Sequence, residues 1–295
     1  MSLRVTLTHR EALSPTLLRL TLAGESLPPA APGAHTVLHL PGGLRRAYSL
    51  VASTGSYQVI VRRVPHSRGG SAAVHALAVG SELLLDRPHT LFPLPPLARA
   101  HLLISGGIGV TPFLSWWPAL AGSHLSVRWY HLCAPQEAAA FAALLAHTPA
   151  QIQARRPDLP ALLAGQPLGT HLSVCGPAGL MQAVTQAAAA AGWPASHVHQ
   201  ESFGADTRGA PFVAVLARSG ARIPVGPDES LLEALEAAGH ALPHLCRGGA
   251  CGECRTRILS GTPAHRDSVL TAQERESFVM PCVSRSLTPE LVLDL

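Results

Sequence analysis

Four of the six cysteines in this 295-residue chain lie in its last 50 residues, with a spacing that suits one metal centre. Cys246, Cys251, Cys254 and Cys282 follow the pattern C-x4-C-x2-C-x27-C. Three ligands from one short loop and a distant fourth are the ligand spacing of plant-type [2Fe–2S] clusters. Glycine and alanine between the first three cysteines let the backbone approach the sulfides and donate hydrogen bonds to sulfur. We therefore predict a [2Fe–2S] cluster on these four thiolates.

Other uses of the cysteine cluster fit less well. Disulfides are disfavoured, because the N-terminus has no apolar segment typical of an export signal. A zinc site usually has two C-x2-C pairs, or one such pair with two histidines, and only one C-x2-C occurs here. A Rieske site needs Cys-x-His pairs, which the sequence lacks. Zinc and an inert cysteine cluster stay open as alternatives.

A second group of residues is typical of flavin binding. Arg46-Ala47-Tyr48-Ser49 resembles the R-x-Y-S motif of ferredoxin reductase-like flavin barrels, and Gly69-Gly70-Ser71 opens a helical segment soon after it. Arginine can neutralise a phosphate, and small residues at a helix N-terminus expose N–H groups to one. Tyrosine can pack on the isoalloxazine ring, and the serine can hydrogen-bond near N5, where a hydride arrives. An exposed strand and a loop with a serine N-cap are the alternatives.

A glycine turn follows a buried strand in the middle of the chain. Gly106-Gly107-Ile108-Gly109-Val110-Thr111-Pro112 departs from G-x-G-x-x-G, yet such a turn still lets N–H groups and a helix N-terminus meet a pyrophosphate. It resembles the G-G-x-G-x-T-P element of the same reductases. Cys175-Gly176-Pro177 resembles their C-G-P element beside the nicotinamide, and His199-x-Glu201-x-Phe203 resembles their H-x-E-x-F element near the flavin.

These resemblances imply a set of site residues. Ser49, Cys175 and Glu201 are the expected catalytic residues. The segment YHLCAPQEA after the second strand of this region has no arginine to meet a 2′-phosphate, so NADH is favoured over NADPH. The expected cofactor-binding residues are Arg46, Tyr48, Ser49, Gly69, Gly70, Ser71, Gly106, Gly107, Gly109, Thr111, Pro112, Gly176, Pro177 and Phe203.

Hydrophobic patterning predicts the elements that must position these residues. Residues 1–98 show six short strands separated by Pro/Gly/Ser clusters, which indicates an antiparallel barrel. Residues 99–205 alternate strand and helix, which indicates a parallel sheet with helices on both faces. Residues 206–295 contain a hairpin, a helix capped by Ser230 and Glu233, the cysteine loop and closing strands. A polar linker over residues 204–211 separates the last two regions.

The order of these segments resembles the phthalate dioxygenase reductase-like family, of the vanillate demethylase reductase type. The resemblance implies a multidomain fold with an antiparallel β-barrel flavin domain, an α/β parallel-sheet nucleotide domain and an α+β β-grasp ferredoxin domain. It also implies FMN, favoured over FAD, and an NADH-dependent oxidoreductase that passes single electrons to a partner terminal oxygenase. The alternative is a non-catalytic iron–sulfur electron carrier in which the flavin-like region is only a scaffold.

Composition excludes several other classes. Hydrophobic residues make up 47% of the chain and charged residues 14%, which is far from the composition of disordered proteins. The net charge of +4 comes from scattered arginines and aromatic residues are only 4%, so nucleic acid is not an expected partner. The longest apolar run, 138–146, is too short to span a membrane. We expect a cytoplasmic protein whose electron path needs no second subunit.

Overall fold

Short strands with apolar residues on one side build the first sheet, whose strand order is β4-β3-β6-β1-β2-β5 with β7 paired to β3. Neighbouring strands are antiparallel, and β4 and β5 approach each other, which closes the sheet into a barrel. Leucines that alternate along the strands fill its interior. Its elements are β1 Leu3–Ala12, β2 Leu17–Ala23, β3 Ala34–His39, β4 Arg45–Ser49, β5 Tyr57–Arg62, α1 Gly70–Ala76, β6 Glu82–Leu85 and β7 His89–Thr90.

This computed structural model describes residues 2–51, 54–65, 69–203, 207–267 and 269–295. The chain forms two compact units, Met1–Ser202 and Phe203–Leu295. No helix in the described ranges is long and apolar enough to cross a lipid bilayer.

The second sheet is entirely parallel, with strand order β10-β9-β8-β11-β12. Every residue of its central strand β8 is buried, which agrees with the continuous apolar run predicted there. The short elements β10 and α4 were not predicted, because four and five residues are too few to show a period. The elements are β8 Ala100–Gly106, α2 Thr111–Ala121, β9 Ser126–Leu132, α3 Ala138–Leu144, β10 Ala150–Gln153, α4 Leu159–Leu163, β11 Thr170–Cys175, α5 Ala178–Ala190 and β12 Val198–Glu201.

The barrel and the parallel sheet share a hydrophobic core. On one face of the sheet, Leu103 and Trp129 pack with Phe113 and Trp116 of α2, and the same cluster contains Phe92 from the segment that follows the barrel. The Phe92 and Trp116 rings are stacked with centroids 4.7 Å apart. This shared core explains why both sheets belong to one compact unit. The division at residues 98 and 99 stays a prediction, and the predicted boundary at 205 and 206 lies outside the described residues.

The second unit is a mixed sheet of order β14-β13-β19-β15-β17 covered by one helix. The predicted cap of that helix is present, since Ser230 and Glu233 form a capping box. Leu231 and Leu235 of the helix pack on the sheet residues Phe212 and Leu291. The elements are β13 Phe212–Leu216, β14 Arg222–Val225, α6 Leu231–Ala237, β15 Thr256–Ser260, β16 Pro263–Ala264, β17 Phe278–Val279, β18 Arg285–Ser286 and β19 Glu290–Leu293.

A buried arginine fixes the start of this unit. Arg285 is only 2% exposed, and its terminal nitrogens donate to five backbone carbonyls. Burial lowers the pKa of its guanidinium, and its carbon lies 5.1 Å from the centroid of the Phe212 ring. Part of the predicted linker is therefore held to the unit, while residues 204–206 lie outside the described part. The accepting carbonyls are those of Thr207, Gly209, Ala210, Gly226 and Glu229.

We predict that Arg285→Met lowers the free energy of unfolding of the second unit by about 3 kcal/mol, because it leaves buried carbonyls without donors. Arg218→Met is the matched control, since Arg218 is exposed and pairs with Asp294 on the surface. Urea denaturation of the full chain, followed by the visible absorbance of the cluster, measures the effect. Equal denaturation midpoints for the two variants would contradict the role of Arg285.

Candidate functional site

The predicted phosphate-binding residues of the barrel come together in the structure. A Cβ atom on Gly70, the first residue of α1, would lie 2.6 Å from Cγ and 2.8 Å from Nε of Arg46. Gly69 has a φ of 79°, a left-handed conformation that favours glycine. The Ser71 hydroxyl accepts a hydrogen bond from the Val64 N–H at 3.1 Å, which joins the first turn of α1 to the chain just after β5. A guanidinium beside the start of a glycine-rich helix fits a flavin phosphate.

The end of strand β4 supplies the other two residues of the motif. Tyr48 packs against the barrel core, and burial raises the pKa of its phenol to about 12 although Arg46 opposes the shift. Ser49 is 7% exposed, and its Oγ has no hydrogen-bond partner within the described ranges. A buried hydroxyl without a partner is uncommon, so Ser49 Oγ could donate a hydrogen bond to a bound ring or accept one from it. Strand β4 is the terminal strand in the order of the barrel sheet. A flat ring that lies along β4 could therefore contact both Tyr48 and Ser49.

Two backbone turns meet at the carboxyl ends of β8 and β11. A Cβ atom on Gly109 would lie 2.4 Å from the Cys175 carbonyl oxygen, and one on Gly106 would lie 2.8 Å from the Pro177 ring. The glycine turn and the Cys-Gly-Pro turn therefore pack directly against each other, and their joint role in binding a nucleotide stays a prediction. Thr111, the first residue of α2, donates from its hydroxyl to the Ile108 carbonyl at 3.1 Å, and Pro112 follows it. The start of α2 thus faces this edge of the sheet, where parallel sheets bind ligands.

A thiol and a carboxyl group are neighbours at this edge. Cys175 and Glu201 are register partners on β11 and β12. Burial raises the pKa of the Cys175 thiol, and the Glu201 charge adds to the shift. Burial also raises the pKa of Glu201 to about 8, and its Oε2 has no hydrogen-bond partner among the residues described. At neutral pH both groups are protonated, so Glu201 can act as a neutral acid.

Phe203 is the predicted site residue that follows Glu201 by two positions. It belongs to the other compact unit, and its side chain is 48% exposed. Its contact with a cofactor stays a prediction.

Sequence reasoning missed a cation at the glycine turn. Arg62, the last residue of β5, forms an ion pair with Glu137 just before α3. A Cβ atom on Gly107, whose φ is 52°, would lie 3.0 Å from Nη1 of Arg62. The guanidinium therefore lies where a pyrophosphate on this turn would need a positive charge. Nothing in the local sequence indicates it, because the contact joins two segments that are distant along the chain.

The cysteine loop wraps around the Cys246 sulfur. The backbone N–H groups of Gly248 and Ala250 donate to Cys246 Sγ at 3.3 and 3.4 Å. Arg247 and Gly249 have left-handed φ angles of 51° and 74°. The Arg247 side chain holds its strained backbone in place through an ion pair with Glu236 of α6.

The four predicted ligand thiols form two pairs. Cys246 lies beside Cys251, and Cys282 lies beside Cys254, so that each thiol shifts the pKa of its neighbour. The neighbouring Cys246 thiol and hydrogen bonds from backbone groups lower the pKa of Cys251. Among the described residues, no group of three or more His, Cys, Asp or Glu side chains is close enough to hold one metal ion. Two pairs of thiols fit a two-iron cluster, with two ligands for each iron, better than a single zinc ion.

Comparison with known proteins agrees with this arrangement. Residues 215–287 match the family described as 2Fe-2S iron-sulfur cluster binding domain. The chain is 44% identical over 280 residues to the heme-dependent oxidative N-demethylase beta subunit of Ectopseudomonas mendocina (strain ymp), over 92% of this chain and 91% of that protein. It is 35% identical over 291 residues to the phthalate dioxygenase reductase of Burkholderia cepacia, over 92% and 90% of the two chains.

A solved structure extends the likeness to three dimensions. It is that of a phthalate dioxygenase reductase, described as "a modular structure for electron transfer from pyridine nucleotides to [2Fe-2S]". It aligns with a TM-score of 0.85 at 32% identity and covers 100% of this chain and 98% of its own. The match therefore includes both compact units.

We predict that Arg46→Ala lowers FMN occupancy at least tenfold, because the cation that faces the phosphate is lost. Arg45→Ala is the matched control, since the neighbouring guanidinium pairs with Asp86 at 2.9 Å. Released flavin, counted per chain after purification and again after titration with FMN, measures the effect. Full FMN content in the Arg46 variant would show that this arginine does not bind the phosphate.

We predict opposite effects of Glu201→Gln on stability and on hydride transfer. The pKa of Glu201 is raised to about 8 in the folded protein from 4.5, so its contribution to stability falls as pH rises from 4.5 to 8. Glutamine does not ionise, so the variant should unfold at a higher temperature at pH 9 and at an unchanged temperature at pH 4. Loss of the acid should slow flavin bleaching by saturating NADH about tenfold.

Glu82→Gln is the control for this experiment, since Glu82 is an exposed partner of Arg4 on the barrel surface. Thermal unfolding by circular dichroism at the two pH values and stopped-flow absorbance give the two results. An unchanged bleaching rate, or an equal stability gain at both pH values, would show that Glu201 is not a buried acid in the site.

Proposed function

This chain belongs to the phthalate dioxygenase reductase-like family, and we propose that it is the NADH-oxidising reductase component of an oxygenase system. The observation that carries the proposal is the presence of two kinds of redox site in one chain. The first unit holds a nucleotide turn beside a flavin motif, and the second holds two pairs of thiols suited to [2Fe–2S]. A hydride donor and a one-electron acceptor need a flavin between them, because only the flavin exchanges electrons both in pairs and singly.

In this proposal, each group of residues has a separate task. Arg46, with the glycine-rich start of α1, holds the FMN phosphate, while Ser49 meets the ring near N5. The turn from Gly106 to Thr111 holds the NADH pyrophosphate with help from Arg62. Cys175 and Glu201 lie beside the nicotinamide and shield the reacting atoms from water. Cys246, Cys251, Cys254 and Cys282 hold the cluster.

The chain is divided in this proposal into an FMN-binding barrel over 1–98, an NAD-binding domain over 99–205 and a ferredoxin domain over 206–295. FMN in place of FAD and NADH in place of NADPH are parts of the same proposal. So is a cytoplasmic location, which suits the six free cysteines.

The partner in this proposal is a terminal oxygenase that accepts single electrons from the cluster. Relatives named as subunits of a heme-dependent oxidative N-demethylase and as a phthalate dioxygenase reductase support it. Nothing in this chain contacts the substrate of such an oxygenase, so substrate choice belongs to the partner. The alternative is an electron carrier whose flavin-like region is only a scaffold. That alternative does not explain why Arg46 lies against Gly70 or why Cys175 lies against Gly109.

We predict that Cys251→Ser separates the two halves of the electron path. Hydride transfer should continue, so NADH should still bleach the flavin within twofold of the normal rate. Reduction of cytochrome c, a one-electron protein acceptor, should fall at least tenfold, because one of four cluster thiolates is lost. Stopped-flow absorbance, steady-state cytochrome c reduction and iron analysis measure these effects.

Cys133→Ser is the matched control, since Cys133 is a free cysteine in the first unit. Simultaneous loss of both activities in a folded variant with bound FMN would contradict the proposed path. Undiminished cytochrome c reduction after the absence of iron is established would contradict it equally.

A further inference from the structure

Four histidines lie together near the amino ends of the parallel strands, at the opposite edge of the sheet from the glycine turn. His101 and His171 are register partners on β8 and β11, so their side chains project from the same face of the sheet. His199 is on the neighbouring strand β12, and His197 immediately precedes that strand. These four residues, His101, His171, His197 and His199, form the histidine cluster.

A hydrogen bond joins two of these imidazoles. Nδ1 of His171 lies 2.8 Å from Nε2 of His199, and the two rings are parallel to within 5°. The His197 ring stacks on His171, with the ring centroids 4.3 Å apart. In a hydrogen bond between two imidazoles, one nitrogen donates and the other must be unprotonated. The pair can therefore take up one proton and keep its bond, but a second proton must occupy the accepting nitrogen and break the bond.

Burial keeps the cluster neutral at neutral pH. His101 and His171 are only 2% and 7% exposed. Burial, together with the charges of neighbouring histidines, lowers the pKa of His101 to about 4. The same two causes lower the pKa values of His171 and His199.

The charged groups near the cluster do not compensate for added protons. Arg99, whose side chain lies against Gly169 just before β11, is a further cation. Glu201 lies at the other end of β12, and burial raises its pKa to about 8, so it stays neutral in acid. Helix α5, which packs on the opposite face of the sheet, has no charged residue. Protonated histidines at this edge would therefore repel one another without a neighbouring carboxylate to offset the repulsion.

Strand β12 is the element that the cluster can release. It is the edge strand of its sheet, has four residues and pairs with β11 alone among the described strands. The bond between His171 and His199 ties its amino end to β11, and Glu201 lies opposite Cys175 at its carboxyl end. Protons can reach the cluster at His197, which is half-buried and lines a cavity of about 260 Å³.

We propose that the histidine cluster is an acid-sensitive switch that holds β12 against β11 at neutral pH and releases it in acid. A second proton on the pair of His171 and His199 breaks their bond and places two cations on adjoining rings. The open form, in which water hydrates both rings, then binds protons better than the closed form. Opening also separates Glu201 from Cys175, and only this consequence rests on the proposed function, since it concerns the nucleotide site.

Proton linkage gives the direction of the pH effect. A histidine in an opened segment has its ordinary pKa of 6.5, whereas His171 and His199 have lower pKa values in the closed form. Their contribution to the stability of the closed form is therefore constant above pH 6.5 and is lost as the pH falls below 6.5. Each histidine that rejects a proton changes the opening equilibrium about tenfold between pH 6.5 and 5.5.

Hydrogen exchange of the full-length protein, measured by mass spectrometry at pH 7.5 and 5.5, tests the proposal. After correction for intrinsic exchange rates, the opening constant of residues 198–201 should be at least tenfold larger at pH 5.5 in the normal protein. His199→Gln can keep a hydrogen bond to His171 but does not ionise at this position. The variant should therefore show less than a threefold increase.

His131→Gln is the matched control. His131 is also buried, and its pKa is lowered to about 4, mainly by burial and further by the charge of Arg62. It lies near the carboxyl end of β9, which β8 and β11 separate from β12. The variant should keep the full pH response of residues 198–201.

Three results would overturn the proposal. They are an unchanged opening constant in the normal protein, an equal increase in His199→Gln, and an increase shared by the whole first unit, which would be global unfolding. If His199→Gln does not fold, the ring ¹⁵N signals of the normal protein decide. Loss of the hydrogen-bonded His171 signal in step with exchange supports the switch, and its persistence at pH 5.5 overturns it.

Flavin bleaching by NADH, followed by stopped flow at the same two pH values, keeps this inference distinct from the proposed function. If NADH bleaches no flavin at either pH, the proposed function fails, while hydrogen exchange still decides whether the switch exists. If bleaching is normal at pH 7.5, it should slow at least fivefold at pH 5.5 in the normal protein and less than twofold in His199→Gln. Equal slowing in both proteins would overturn the link between the switch and Glu201.

Discussion

The first unit depends on a close contact between two backbone turns, the glycine turn after β8 and the Cys-Gly-Pro turn after β11. No side chain lies between them. Gly109 lies against the Cys175 carbonyl so closely that even a methyl group would come within 2.4 Å of it. This contact fixes where α2 begins. Phe113 and Trp116 of α2 then pack with Phe92 after the barrel, so that the barrel and the sheet share one core. The same arrangement places Arg62 of the barrel beside the glycine turn of the sheet.

Two buried polar atoms in the candidate cofactor sites have no hydrogen-bond partner. They are Ser49 Oγ of the flavin motif and Glu201 Oε2 at the carboxyl end of β12, both without partners among the described residues. Arg285 is buried as deeply, but its terminal nitrogens are satisfied by backbone carbonyls. Burial without a partner lowers stability, and a polar group of a bound cofactor would offset that cost at Ser49 and Glu201.

Most of the fold and much of the site could be predicted from the sequence, because local patterns determine them. Short β-rich runs separated by Pro/Gly/Ser clusters predicted the barrel strands, the cap by Ser230 and Glu233 predicted α6, and the glycine turn after a buried strand predicted where a helix begins. The pairing of Arg62 with Glu137, and the register that sets His89 opposite His35 and His35 opposite Ser49, could not be predicted. They depend on strand register and on packing between distant segments, which one sequence does not encode as a local period. The short strand β7, which sets His89 opposite His35, has only two residues and shows no pattern of its own.

The distribution of indole side chains makes the two units optically distinct. All four tryptophans, at 116, 117, 129 and 193, lie in the first unit, and two of them are completely enclosed in the shared core. Ultraviolet fluorescence from tryptophan therefore reports only on the first unit, where energy transfer to a bound flavin would quench it. The second unit contributes no such emission, and its only chromophore in the visible range would be the cluster. Tryptophan fluorescence thus provides an optical signal that belongs to the first unit alone, with no engineered label.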